Sequence, residues 1–180
     1  MDSALIAILI LFLLGVIGFV YSRRIKREAK KIGANFHALC NHLHGLPDIN
    51  GKSPGKLFFT DEKIIAKISN KTYDLIYEQI TAVAYANKSD FLKKDRSVIG
   101  RGIAGGILLG PVGAIIGGMS AIGRQKNIKG EFLIIDYISS TNDEQKTIIF
   151  DLYKPSIARK AEKFIVEKCP QLVKSDHVVI

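Results

Sequence analysis

KLFFTDEKIIAKIS, residues 56–69, is the stretch whose reading decides the fold. Two runs of β-branched, aromatic and other apolar residues flank Thr60-Asp61-Glu62-Lys63, and a short polar tetrad between such runs predicts a β-hairpin. Residues 72–86, TYDLIYEQITAVAYA, continue in the same composition, with one strand leading into Tyr77-Glu78-Gln79-Ile80 and a second one after it. Two more β-rich runs, Glu131–Ile138 and Gln145–Leu152, are separated by the polar turn SSTNDE. Strands thus accumulate without alternating helices, which points to an antiparallel sheet and not to βαβ units. Pro155 then opens a helix with Ile157, Ala161, Phe164 and Ile165 on one apolar stripe and Arg159, Lys160, Lys163 and Lys168 in solvent, and Pro170 stops it. Residues 171–180 read as a frayed tail.

Upstream of the hairpin, Asn50-Gly51 and Ser53-Pro54-Gly55 are turn chemistry. Before them, residues 22–44 place Ile25, Ala29, Ile32, Phe36, Leu39 and Leu43 at spacings of three and four, which predicts an amphipathic helix ended by Gly45-Leu46-Pro47. Its first half is basic: Arg23, Arg24, Lys26, Arg27, Lys30 and Lys31 are the candidate membrane-surface residues, each contributing about 1 kcal/mol beside anionic headgroups. Ahead of that lies Ala4–Val20, ALIAILILFLLGVIGFV, an uncharged run close to one bilayer span. The cations follow the run and none precedes it, so the expected arrangement is a single-pass anchor in the cell membrane, N-terminus outside and body cytoplasmic. Tyr21-Ser22-Arg23 does not resemble a signal-peptide exit, and the anchor is read as uncleaved.

These segments divide the 180 residues into an anchor (1–22), a juxtamembrane helix (23–45), one domain (46–170) interrupted by an insertion (98–124), and the tail. The net charge of +9 is concentrated in residues 23–31, 88–101 and 124–129, while the rest of the chain is slightly acidic. Cations gathered beside apolar runs suit a membrane surface and argue against a nucleic-acid partner, whose basic patch would lie on the folded domain. Two cysteines, Cys40 and Cys169, imply no disulfide framework and agree with a reducing compartment.

A bent antiparallel sheet closed by one C-terminal helix is the layout of pleckstrin-homology-like (PH-like) domains. The segments GKLFFTDEKIIA (Gly55 to Ala66) and LIYEQITAV (Leu75 to Val83) resemble the two most recognisable stretches of bacterial PH-like and GRAM-like families. HLHGLP (His42 to Pro47) and the later RGIAGGILLGPVGAIIGG are similar to proteins of Gram-positive bacteria and their phages that carry such a domain with a glycine-rich insert. The resemblance covers residues 42–169, and the order of the motifs carries it. It implies an α+β fold, a barrel-like bent sheet with a C-terminal helix, and a membrane-linked adaptor role. Lys56, Lys63 and Lys67 are present, but the Arg-rich loop of phosphoinositide-binding PH domains has no counterpart.

Within the insertion, residues 102–123 carry no charge, and Gly102, Gly106 and Gly110, then Gly113 and Gly117, recur at every fourth position. Small-xxx-small spacing puts glycines on one helix face and lets two backbones approach closely. The length would suffice for a second transmembrane helix, but basic residues flank both ends and the strands before and after must share a sheet, which argues against a full membrane crossing. Gly110-Pro111-Val112-Gly113 makes a midpoint turn, which predicts a helical hairpin. It either dips into the bilayer, packs against the anchor of the same or a neighbouring chain as a homo-oligomer contact, or packs on the sheet.

Other motifs fail on context. Gly100-x-Gly102-x-x-Gly105 lacks the apolar strand before it and the acid after it that a dinucleotide site needs, and the glycines at 118–123 lack a P-loop's Lys and Ser/Thr. His37, Cys40 and His44 fall near one face of the expected helix, with His42 close by, but the spacings are not those of zinc sites and no fourth ligand is evident. Asp136 and Asp151 are expected on solvent faces of their strands. No catalytic residue, metal or cofactor is indicated. The sequence therefore predicts a membrane-anchored binding or scaffolding module that engages membrane lipid or a protein partner. The rival reading is a membrane-active, pore-like oligomer of the phage-exclusion or defence type, built on the anchor and the glycine hairpin.

Overall fold

The computed structural model describes residues 3–49, 51–87 and 130–173. The glycine-rich segment, with Gly102, Gly106, Gly110, Gly113 and Gly117, and the last residues of the tail lie outside the described residues. Helix α1 (Ser3–Lys31) leads into strands β1 (Phe36–His44), β2 (Ser53–Phe59), β3 (Lys63–Ile68) and β4 (Lys71–Ile76). A single 3-10 turn, Tyr77–Gln79, joins β4 to β5 (Ile80–Asn87); β6 (Glu131–Ile138), β7 (Gln145–Asp151), α2 (Pro155–Lys168) and the short α3 (Pro170–Val173) follow.

The helix expected over residues 22–44 is corrected: it stops at Lys31, and Phe36–His44 is a strand. Gly33 takes φ +67°. Its N–H bonds the Lys30 carbonyl at 3.3 Å while the Ala34 N–H reaches back to Ala29 at 2.9 Å, the paired bonds of a Schellman cap. The apolar residues of FHALCNHLH fit both periods, and pairing with β2 and β7 decides for the strand. Gly45 is accordingly not a helix cap. At φ +98° it follows β1, so close to the Thr147 backbone that a Cβ would fall onto the carbonyl oxygen. Ser53–Gly55, read as a turn, belongs to β2. Pro54 lies beyond the last β2–β3 pair, Gly55–Ile68, where its missing N–H costs that ladder nothing.

The seven strands form one antiparallel sheet in the order β4-β3-β2-β1-β7-β6-β5. β1 belongs to both halves: Phe36 to His42 pair with β2, Asn41 to His44 pair with β7, and the register shifts between His42 and His44. That shift turns the sheet around a core of Leu57, Phe59, Ile64, Val83, Leu133, Ile135, Ile148 and Phe150. One end is closed by α2, which buries Ala158, Ala161 and Ile165 and packs Phe164 edge-on against Phe36 and Phe59. The outcome is the α+β, bent-sheet-plus-helix architecture expected of a PH-like fold.

The two stretches that carried the resemblance meet in space. Thr60 Oγ1 accepts from the Lys63 N–H at 3.1 Å and donates to the Lys63 carbonyl at 2.8 Å, which closes the β2–β3 turn. The Tyr77 hydroxyl then donates to the Thr60 carbonyl at 2.9 Å. Asp61 receives Lys168 of α2 at 2.6 Å and Asn35 at 3.1 Å, so the same turn is tied to the closing helix and to the connection after α1. The outer edge of β5 is capped by side chains: Glu162 accepts from the Tyr85 N–H at 2.9 Å, and Gln171 donates to the Ile80 carbonyl at 3.2 Å.

Candidate functional site

α1 is longer than a bilayer span, and its two halves behave differently. Ala4–Lys31 has a mean hydropathy of 2.9 over its most apolar window, none of it buried, and is the one helix among the described residues long and apolar enough to cross a membrane. The last turns pack onto the domain. Ile25, Glu28, Ala29 and Ile32 share one helical face, and Ile25 and Ala29 are buried against Phe58 of β2 and Ile65 of β3.

The surface that receives them is a small square set by strand register. Lys56 stands opposite Lys67 and Phe58 opposite Ile65, and alternation aims all four away from the core. Two ammonium groups facing each other are unfavourable alone. Glu28 resolves the conflict: Oε2 accepts from Lys56 at 3.1 Å and Oε1 from Lys67 at 2.7 Å. The Lys67 hydrogen bond is the chief reason that the Glu28 carboxyl titrates below its ordinary value, with Lys56 adding to it against the opposing effect of partial burial. Glu28 is the only acid in residues 22–35, a signal that sequence reading passed over.

Docking in this direction brings Tyr21, where the apolar run ends, to the wall of an open cavity of about 650 Å³. Pro54, Lys56, Lys67, Lys71, Thr72 and Tyr153 also line it, so it sits at the β3–β4 turn end of the sheet. A neighbouring cleft of about 510 Å³ is walled by Tyr21, Arg24, Arg27, Glu28, Lys31 and Lys56. Five cations, Arg24, Arg27, Lys31, Lys56 and Lys67, therefore surround one carboxylate, and the region keeps a net positive charge. Of the residues expected at the membrane surface, Arg23, Arg24, Lys26, Arg27, Lys30 and Lys31 are all exposed on α1. The structure places Arg24, Arg27 and Lys31 along the cleft, whereas the Arg23 guanidinium lies 4.5 Å over the Phe19 ring. Lys63, the third lysine of the hairpin, pairs instead with Asp74 at 2.7 Å.

The histidine and cysteine cluster does not form. On a strand the side chains alternate: His37 lies on the α1 side, Cys40 in the core, and His44 is exposed. His42 is fully buried and its Nε2 accepts the Leu46 N–H at 3.1 Å, which requires the neutral ring that burial also favours. Among the described residues no group of three His, Cys, Asp or Glu is placed to hold a metal. Burial raises the Cys40 thiol far above its ordinary range and the Cys169 thiol to about 12, which keeps both protonated and unreactive.

The expectation for the strand carboxylates is also corrected. Asp136 is 7% exposed and Asp151 fully buried. Asp136 accepts from Thr147 Oγ1 at 2.5 Å across the β6–β7 ladder, and burial raises its carboxyl. Asp151 accepts the Tyr153 N–H at 3.4 Å. Neither faces solvent, because the outward-facing residues of β6 and β7 are themselves buried.

The model of one family, described as a glycine zipper containing PH domain, matches residues 52–158. No curated protein and no solved structure matches the chain.

Proposed function

The chain belongs to the family of glycine zipper containing PH domains, and from that premise we propose that it is a binding module held at the cytoplasmic face of the cell membrane, where its cationic end engages anionic lipid headgroups. The observation that supports this most is the continuity of α1. One unbroken helix passes from Ala4–Val20 into the turns that pack on β2 and β3, so the apolar run and the sheet cannot rotate independently. Tyr21 marks the interface, and the cavity it shares with Lys56, Lys67 and Lys71 then opens at headgroup level. Tyrosine and the long basic side chains are the residue types that favour this depth, with ring or stem in the apolar layer and polar tip in water.

The test uses a chain beginning at Ser22, which keeps the docked turns and removes the span. It should bind vesicles containing anionic lipid, ignore vesicles of neutral lipid, and dissociate as salt rises past physiological strength, where exposed charges are screened within about 8 Å. Replacing Arg24, Arg27 and Lys71 by Glu should abolish the binding. Salt-independent binding to neutral vesicles would contradict the electrostatic reading.

A further inference from the structure

One row of the sheet's outer face reads Leu39, Lys56, Lys67, Thr72, fixed by the pairing of β1 with β2, β2 with β3 and β3 with β4. All four line the cavity of about 650 Å³ that Tyr21 of α1 walls, and the Lys56 ammonium lies 5.8 Å from the centre of the Tyr21 ring. Ser69, Asn70 and Lys71 of the β3–β4 turn and Tyr153 line it as well. Tyr153 is held at φ +61°, a left-handed conformation that a bulky side chain rarely adopts, and its N–H bonds Asp151 at 3.4 Å. Backbone strain of this kind is kept where a side chain has to be aimed, and the ring it aims here stands in the cavity wall.

The charge around the cavity is nearly balanced. Among the described residues that line it, the charged ones are Lys56, Lys67 and Lys71. Glu28 binds Lys56 at 3.1 Å and Lys67 at 2.7 Å, and Asp48 lies 3.3 Å from Lys71. Three ammonium groups against two carboxylates leave one positive charge. The Glu28 carboxyl titrates below its ordinary value, chiefly through the Lys67 hydrogen bond, so it stays ionised at neutral pH.

We propose that this cavity selects a lipid whose headgroup is a singly charged phosphodiester of an uncharged polyol, such as glycerol, an inference that rests on the anionic-headgroup reading above. Each lysine ammonium has three donors, so Lys56 and Lys67 can hold a phosphate while they hold Glu28. Ser69, Asn70 and Thr72 each offer both a donor and an acceptor to headgroup hydroxyls. The carbon skeleton of the polyol suits the rings of Tyr21 and Tyr153. Other headgroups are disfavoured by charge. A phosphomonoester, or a headgroup with several phosphates, brings more negative charge than the wall neutralises and sets it beside Glu28. An ethanolamine or serine headgroup sets an ammonium against three lysines.

The test is native mass spectrometry of the full chain, released from detergent micelles loaded with equal amounts of phosphatidylglycerol, phosphatidylserine, phosphatidic acid, phosphatidylethanolamine and phosphatidylcholine of matched acyl chains. The proposal expects phosphatidylglycerol to be retained about threefold or more over each of the others. Glu28→Gln adds one positive charge to the wall and should shift retention toward phosphatidic acid by about threefold relative to phosphatidylglycerol. Joint Asn70→Ala and Thr72→Val should level the three anionic lipids and leave their lead over phosphatidylcholine intact. Each readout is a ratio of lipids on the same folded molecules, so loss of some variant to misfolding does not imitate it. Equal retention of the three anionic lipids by the parent chain, or a preference that ignores Glu28→Gln, overturns the proposal and leaves the anionic-headgroup reading standing. Equal retention of anionic lipids and phosphatidylcholine overturns both. Complete displacement of phosphatidylglycerol by a roughly tenfold excess of deacylated glycerophosphoglycerol would make the ligand a soluble diester and overturn the lipid assignment.

Discussion

Glu28 of α1 accepts a hydrogen bond from Lys67 of β3 at 2.7 Å, across 39 residues of sequence, and its other oxygen holds Lys56. Those contacts join α1 to the domain, and Ile25 and Ala29 supply the apolar part of the same joint. Glu28→Gln leaves Lys56 and Lys67 facing each other without an anion. It should cost about 1 kcal/mol in urea unfolding of the chain beginning at Ser22, with Glu28→Lys costing more. Because the folded-state pKa is lowered, this contribution is complete above the ordinary carboxylate value and is lost as pH falls through the lower folded one. The stability difference between parent and Glu28→Gln should therefore shrink as pH falls below the ordinary carboxylate range and vanish once the folded-state carboxyl is protonated, which unfolding curves at stepped pH will read.

The Tyr77 hydroxyl donates to the Thr60 carbonyl in the β2–β3 turn, and both groups are buried. Tyr77→Phe leaves the Thr60 carbonyl short of a donor at little change in packing. A loss of about 1–2 kcal/mol is expected, with the denaturant slope unchanged.

Gly45 allows no side chain. Its φ of +98° is strained for any L residue, and the Thr147 backbone occupies the place of a Cβ. Gly45→Ala should lower stability by about 3 kcal/mol or prevent soluble expression, whereas Gly51→Ala, open to solvent although φ is +81°, should cost only about 1 kcal/mol.

The β3–β4 turn consists of Ser69 and Asn70, with φ of +48° and +65°, the two left-handed residues of a type I′ hairpin. Asn tolerates that region and Ser does so less well. Ser69→Gly should stabilise by about 0.5–1 kcal/mol, read as a higher melting temperature, since the relief of strain exceeds the added chain entropy.

Much of this architecture was legible from residue type and order. KLFF and IIAKIS around Thr60-Asp61-Glu62-Lys63, the strands on either side of Tyr77, the pair at 131–151 and the helix opened by Pro155 all stand where composition placed them. β1 was not, because Phe36, Leu39 and Leu43 satisfy a helical spacing as well as a strand, and only the cap at Gly33 and the pairing with β2 separate the two. The burial of Asp136 and Asp151 was hidden for a related reason: alternation tells which residues share a face, but not that residues on both faces of β6 and β7 are buried. The site was half visible. The basic run and the apolar run can be counted, whereas the lysine square exists only in the β2–β3 register, and Glu28 gains its meaning from that square.

The central claim, that the docked helix turns the β3–β4 end of the sheet toward the membrane, is tested most directly by depth. Single cysteines at Ser69 and at Glu62 mark the two ends of β3, about 20 Å apart, and carry an environment-sensitive fluorophore in the full chain reconstituted in nanodiscs with a headgroup-level quencher. The account predicts strong quenching at Ser69 and little at Glu62, with the difference reduced in the Glu28→Lys variant. Equal quenching at the two positions, or stronger quenching at Glu62, would contradict it.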